Sequence, residues 1–319
     1  VSGSLLVISR EEVERHLSYE ACIPLMREAM IALSSGETRQ LLRSILDLEG
    51  GRAFGSMLGA MDAGAFGAKL ISVFPGASGA PSHQGVVALF DPESGAPVAI
   101  LDASELTGIR TAAASAAATD VLARPDARRL AIIGTGEQAL RHVEAIRQVR
   151  AIDEVRIWGR SPDKAAALAA RVGGTAFPTA EAAAASADIV CTTTASTEPV
   201  LLSQWVAEGT HLNLVGSSRA GPVEVDTPLV ARARFFADHE EGVRRQGAEW
   251  LRALEAGAVG ENHLRGEIGA VMTAALPGRI SAADVTIYKS LGSIVQDLAA
   301  GWYLVGKART ERFGTCVRF

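Results

Sequence analysis

Leu130-Ala131-Ile132-Ile133-Gly134-Thr135-Gly136-Glu137-Gln138-Ala139 is a short apolar run that ends in two glycines and passes at once into a helical pattern. Ala139, Val143 and Ile146 fall at i, i+4 and i+7, which puts them on one helix face. This is the strand–turn–helix setting in which G-x-G-x-x-G/A binds a dinucleotide. The first glycine permits the tight turn and the second lets the backbone approach the pyrophosphate. A small third residue lets helix pack on strand, and the helix N-terminus faces the negative charge. The chain holds 32 glycines, so glycine spacing alone decides little. The flanking strand and helix carry the reading of a nicotinamide or flavin nucleotide site.

Length and composition agree with that reading. The 319 residues leave room for about two domains and a large core. Hydrophobic residues make up 48% and charged residues 21%, as in ordinary globular chains. A net charge of −5 offers no basic footprint, so nucleic acid is not an expected partner. Cys22, Cys191 and Cys316 form no C-x-x-C pair and no disulfide framework, which points to a reducing cytoplasmic setting. No apolar run approaches the ~20 residues that span a bilayer, and no signal-peptide pattern opens the sequence, so no membrane partner is expected.

The first hundred residues read as α+β. A strand is expected over 5–8, and Ser9 with Glu12 makes a capping box for the helix that follows. A longer helix covers 19–34 and stops near Gly36. Five β-like runs come next, over 43–48, 52–58, 66–73, 85–90 and 98–101. Turn signals such as Glu49-Gly50-Gly51 and Asp91-Pro92-Glu93-Ser94-Gly95 separate them. They suggest an antiparallel or mixed sheet of hairpins. An alanine-rich helix over 104–122 leads out of it. After Arg124-Pro125 the rhythm changes to strands at 130–133, 155–158, 189–193, 211–215 and 235–237 with helices between most of them. That is a run of βαβ units around a parallel sheet. A last helix is expected from near Ser290 to about Lys307, packing back on the first part. The expected fold class is therefore α/β, a Rossmann-type doubly wound sheet plus an α+β domain. The domains are expected at 1–120, 121–289 and 290–319, the last returning to the first.

In NAD enzymes an acid about 20 residues past the glycines bonds the ribose 2′-hydroxyl. Here the second strand ends in Gly159-Arg160-Ser161, while Asp153 and Glu154 precede it and belong at its other end. Arg160 suits a 2′-phosphate, so NADPH is the expected cofactor and NADH the alternative. The competing view of Arg160 is a solvated arginine in a βα turn. The six histidines show no metal spacing, so no metal is expected, and there is no G-x-S-x-G elbow. His83 alone lies in a suggestive loop, Pro81-Ser82-His83-Gln84-Gly85.

Several segments together resemble the ornithine cyclodeaminase/μ-crystallin family. They are Gly67-Ala68-Lys69-Leu70, Pro81-Ser82-His83-Gln84, Ile109-Arg110-Thr111-Ala112-Ala113, the Gly134-to-Ala139 turn, Thr197-Glu198-Pro199-Val200, Val215-Gly216-Ser217-Ser218-Arg219 and Lys289-Ser290-Leu291-Gly292. They follow the family's order from about residue 43 to residue 292. The resemblance implies a Rossmann domain joined to a substrate and dimerisation domain made from both chain ends, hence a homodimer. It also implies that Arg43, Lys69 and Arg110 hold the α-carboxylate of an imino or amino acid. An arginine fork can grip a carboxylate in two parallel bonds, and Lys69 would also polarise or protonate an imine nitrogen. Cofactor contacts are implied at Gly134, Thr135, Gly136, Glu137 and Gln138, with Arg160 and Ser161 near the adenosine ribose. Thr111, Val215 and Ser217 belong towards the nicotinamide. Lys289 and Leu291 also line the implied site, although a strand–helix junction explains their pattern equally well.

One departure matters. Ornithine cyclodeaminases and the related archaeal-type alanine dehydrogenases have an aspartate where this sequence has Ser218. A serine hydroxyl near pH 7 is neither a useful base nor an anion for an ammonium group. The sequence is more similar to the ketimine-reductase branch, which implies NADPH-dependent reduction of a cyclic ketimine acid, with Lys69, Arg110 and Ser218 as catalytic candidates. The alternatives are an ornithine cyclodeaminase or amino-acid dehydrogenase using NAD, and a non-catalytic binding protein.

Overall fold

Ser9 accepts a hydrogen bond from the Glu12 N–H, and the Glu12 carboxylate accepts one from the Ser9 N–H at 2.8 Å, so the expected capping box forms. The computed structural model describes residues 3–74 and 83–318. Pro81 and Ser82 of the suggestive loop lie outside the described residues, as does the His83 side chain.

The chain opens with β1 (Ser4–Ile8), α1 (Arg10–His16), α2 (Tyr19–Ser34), β2 (Thr38–Gln40) and β3 (Ser44–Leu48). β4 (Arg52–Met61), β5 (Phe66–Val73), β6 (His83–Phe90) and β7 (Pro97–Asp102) lead into α3 (Ala103–Leu122). The alternating part begins with β8 (Arg129–Ile133), α4 (Glu137–Ile146), β9 (Glu154–Trp158), α5 (Pro162–Val172) and β10 (Thr175–Ala176). It continues with α6 (Ala180–Ala184), β11 (Ile189–Thr192), β12 (His211–Leu214), α7 (Thr227–Arg232) and β13 (Arg234–Ala237). Then come α8 (Glu240–Gln246), α9 (Ala248–Glu255), β14 (Leu264–Glu267), α10 (Ile268–Met272) and β15 (Thr286–Lys289). The tail is α11 (Ile294–Glu311) and β16 (Thr315–Arg318). Two compact units result: 1–110 with 293–319, and 111–292.

In the first unit the strands lie in the order β16-β1-β7-β6-β5-β4-β2, with β3 also on β4. Only β1 and β7 run parallel, so the sheet is mixed. β2 and β16 have no counterpart in the sequence reading. The one is three residues long, and the other is wholly exposed, so neither carries an apolar signal. One face of the sheet receives α11, which also packs on α2. Glycines on β4 and β5 let that helix approach closely. A Cβ at Gly59 would stand 2.5 Å from Ile294 Cγ2, and one at Gly67 would stand 3.2 Å from Leu298 Cδ2. α11 begins later than expected because Ser293, in extended backbone, accepts from the Val295 N–H at 3.3 Å and caps it.

The second unit is a parallel sheet in the order β10-β9-β8-β11-β12-β15-β13-β14. From β8 the chain runs outward through β9 and β10, then crosses to β11 and β12 on the other side. The reversal between β8 and β11 is the switch point where α/β sheets bind ligands. The core is mainly aliphatic with a few aromatic side chains; Val190, Leu212, Ile287 and Phe235 are fully buried. The sequence reading missed β15, which lies between β12 and β13 with all four residues buried. Threonine, tyrosine and lysine hide the strand from an apolar-run criterion. The fold class is α/β, as expected. Among the described residues no helix is long and apolar enough to cross a membrane.

Candidate active site

In the first unit three elements bring charge to one buried point. Lys69 projects from β5, Arg110 from α3 and Asp297 from the first turns of α11. Lys69 Nζ lies 3.0 Å from Asp297 Oδ1, and Arg110 Nε lies 3.2 Å from the same oxygen. The three side chains are 3%, 4% and 0% exposed. Lys69 Nζ also donates to Thr107 Oγ1 at 2.5 Å, and Arg110 Nη1 donates to Gln296 Oε1 at 2.7 Å. Two of the three arginine nitrogens are thus engaged within the protein. Nη2 has no partner among the described residues. The fork expected from the sequence is half filled, because a buried guanidinium must satisfy its donors.

Burial lowers the Lys69 pKa to about 8; Asp297 opposes the fall, while the charges of Arg110 and Arg43 add to it. Burial works against the Asp297 charge, but Arg110 and Lys69 outweigh it and hold the carboxyl below the usual range. Arg43, half-buried between β2 and β3, is therefore close enough to act on Lys69. Asp297 Oδ2 and Gln296 Nε2 are buried with no hydrogen-bond partner among the described residues. Sequence reasoning missed Asp297, Gln296 and Thr107. The available signal was an acid inside the apolar run Ile294-Val295-Gln296-Asp297-Leu298.

In the second unit the other candidates gather along the carboxyl edge of the parallel sheet. Gly134 follows β8 with φ +136°, and a Cβ there would lie 2.8 Å from the Thr193 carbonyl oxygen. Gly136 caps α4, and a Cβ there would meet nothing within 4 Å. A turn with open space beside its second glycine, at the N-terminus of a ten-residue helix, fits a pyrophosphate. Thr135 packs under the end of β9, where a Cβ at Gly159 would lie 2.5 Å from Thr135 Cγ2. Glu137 pairs with Arg141 at 3.1 Å, and Gln138 Oε1 is buried without a partner among the described residues.

Arg160 stands exposed one turn beyond β9, with no ion pair among the described residues. Ser161 caps α5, accepting from the Lys164 N–H at 3.4 Å. Asp153 and Glu154 do lie at the opposite end of β9, paired with Arg128 at 3.3 Å and Arg156 at 2.8 Å. Thr111 is nearly buried on α3. Val215 and Ser217 follow β12, and the Ser217 hydroxyl donates to the Pro222 carbonyl at 2.5 Å. Ser218 is half-buried beside it.

A buried glutamate holds this turn. Glu224 accepts from the Gly216 N–H at 2.8 Å, the Thr194 N–H at 2.7 Å and the Thr192 hydroxyl at 2.8 Å, tying the ends of β11 and β12 together. Lys289 ends β15 at the same edge. Its ammonium is fully buried 2.8 Å from Glu249 Oε2, close as an ion pair though not aligned as a hydrogen bond. The Leu291 N–H donates to Asp238 Oδ2 at 2.7 Å, which fixes the chain after β15. Among the described residues no group of three or more His, Cys, Asp or Glu could hold a metal ion.

Known proteins are similar to this chain over nearly its whole length. The mouse (Mus musculus) ketimine reductase mu-crystallin is 34% identical, covering 92% of this chain and 94% of its own. The structure of Thermococcus litoralis Δ1-pyrroline-2-carboxylate reductase in complex with NADH and L-proline superposes with a TM-score of 0.93 at 28% identity, over 98% of this chain and 99% of that one. An archaeal alanine dehydrogenase dimer with bound NAD gives 0.94 at 29% identity, over 99% of both chains. The model of the ornithine cyclodeaminase/mu-crystallin family matches residues 4–312, and the chain belongs to that family.

Proposed function

We propose that this chain reduces a small cyclic ketimine acid with NADPH. The substrate is Δ1-pyrroline-2-carboxylate or its six-membered homologue Δ1-piperideine-2-carboxylate, and the product is proline or pipecolate. The observation that carries the reading is the buried pair of cations, Lys69 and Arg110, on one oxygen of Asp297. Two cations share one anion. A substrate α-carboxylate supplies the missing negative charge. The relatives named for ketimine and pyrroline-2-carboxylate reduction support the same chemistry.

Gly134, Thr135, Gly136, Glu137 and Gln138 would hold the pyrophosphate, Arg160 and Ser161 the adenosine ribose, and Thr111, Val215, Ser217 and Leu291 the remainder. When bound, the nicotinamide supplies the hydride that reduces the C=N carbon. Arg110 Nη2 and Lys69 take the carboxylate and so fix the plane of the adjacent C=N bond; positioning of this kind supplies much of the rate. Lys69 is a cation at pH 7, yet acid enough to give a proton to the ring nitrogen. Lys289, whose ammonium faces Glu249, belongs to the same proposed cofactor set.

Ser218 decides between the two enzyme readings. Cyclodeamination of ornithine needs a group that handles protons and binds the δ-ammonium, which a carboxylate does and a serine does not. The mixed sheet supports a homodimer. Its outer face exposes Leu46, Phe54, Leu58, Leu70 and Val86, with Leu46 opposite Phe54 and Leu70 opposite Val86. A contiguous apolar face of that kind calls for a covering surface. In the deciding assay, NADPH absorbance should fall with Δ1-pyrroline-2-carboxylate, while L-ornithine with NAD should yield neither ammonia nor proline. Steady production of both from ornithine would overturn the reductase reading.

A further inference from the structure

Asp297 comes from α11 to a place where two cations arrive from β5 and α3, 228 and 187 residues away in sequence. Nothing local requires it there. It is the fourth residue of α11, in the turn where the helix dipole favours an anion, and Arg110 and Lys69 outweigh burial to hold it ionised. Its Oδ1 is the only carboxylate atom within ion-pair distance of Lys69 or Arg110 among the described residues. The other groups bearing on Lys69 are cationic or neutral. Arg110 and the Thr107 hydroxyl face it from α3, and Arg43 acts from the segment before β3. Cys22 on α2, whose thiol burial pushes up to about 12, is uncharged in the same neighbourhood. Without Asp297, the buried Lys69 and Arg110 would face each other as like charges, and the lysine is the member able to shed its charge.

We propose that Asp297 is the positioning residue of the reaction: its shared oxygen keeps Lys69 protonated and locks Lys69 and Arg110 at the spacing that receives the substrate carboxylate. This rests on the reductase reading above. Asp297 touches neither substrate nor cofactor in this role. It acts through the two cations, while Gln296 braces the second arginine nitrogen.

The chain has four lysines, Lys69, Lys164, Lys289 and Lys307, so the full-length protein with 13Cε-labelled lysine gives a spectrum simple enough to assign with Lys69→Arg. Lys69 should titrate near pH 8 in the wild type. In Asp297→Asn its midpoint should fall by about one to three pH units, the range that loss of a neighbouring opposite charge produces. NADPH affinity should stay as in the wild type. The basic limb of kcat/KM for Δ1-pyrroline-2-carboxylate should move down with the midpoint. An unmoved midpoint in an active Asp297→Asn reductase refutes the role of Asp297. Wild-type protein that shows the titration but oxidises no NADPH with the imine refutes the reductase reading instead. Should Asp297→Asn fail to fold, Asp297→Glu carries the test. It keeps the charge and so the midpoint, but displaces both cations, and kcat should drop about tenfold or more with the KM for NADPH unchanged. Wild-type kcat in Asp297→Glu overturns the proposal.

Discussion

Lys69 and Arg110 are 2% and 3% exposed and meet on a carboxylate supplied by the far end of the chain, whereas Arg160 stands in solvent one turn past a strand with no partner among the described residues. The candidate substrate end is made of buried side chains, two cations on one shared carboxylate oxygen. The candidate cofactor end is made mostly of backbone: a left-handed glycine, an open glycine and a helix N-terminus. Low dielectric makes each charge at the first site count heavily, and a broken pair there leaves an uncompensated ion. Water and salt screen the second site, so its one charged contact contributes less, and geometry does more.

The hardest test of this contrast is Arg110. Arg110→Ala should cut kcat/KM for the imine by about 3–5 kcal/mol, some hundred- to several-thousandfold, with NADPH affinity little changed. Arg110→Lys should not rescue fully, since a single ammonium nitrogen cannot reproduce the planar fork whose separate nitrogens reach Asp297 and Gln296. Near wild-type rates in both variants would make Arg110 a structural residue only. Arg160→Asp should shift the NADPH-over-NADH preference by about 1.5–3 kcal/mol, roughly ten- to a hundredfold, and the preference should weaken with added salt. Equal use of both cofactors, unaltered by the substitution, removes Arg160 from the ribose site.

The two turn glycines sharpen the comparison inside the cofactor end. Gly134→Ala forces an L-residue to φ +136° against the Thr193 backbone, and should cost about 1–3 kcal/mol of stability, read as a lower Tm. Gly136→Ala meets nothing in the protein and has φ −81°, so Tm should hold while the KM for NADPH rises. Unchanged NADPH binding in Gly136→Ala would place the pyrophosphate elsewhere. The smallest effect is a pH limb. Burial has brought Lys69 down to about 8, so its cation is present below that pH and lost above it. The expected kcat/KM profile is level at neutral pH and falls about tenfold per unit beyond the midpoint. A bound carboxylate favours the ammonium form, so the limb in kcat should lie higher. A profile that stays level up to the ordinary lysine range would detach Lys69 from the chemistry.

The parts of the fold legible in sequence were those whose signal is local. The helix over 19–34, the strand over 66–73 and the capping box at Ser9 agree with the structure residue by residue, because periodicity and capping act within a few positions. β15 was not legible, since its threonine, tyrosine and lysine read as polar until the neighbouring strands bury them. The pairing of that lysine was not legible either. Lys289 occupies its motif position, yet its charge goes to Glu249 in the interior.

From the sequence alone followed the Rossmann turn, the α/β class, the family resemblance and the identity of Lys69, Arg110 and Arg160 as residues to watch. Each is encoded in contiguous residues or in motifs whose order survives without coordinates. Only the tertiary structure placed one oxygen of Asp297 between Lys69 and Arg110, engaged two of the arginine's nitrogens, and set the lysine's acidity. The reason is the range of the forces. Backbone periodicity and turn chemistry are settled between near neighbours. Compensation of a buried charge is settled by whatever packing brings within about 4 Å, and here that was a helix from the opposite end of the chain.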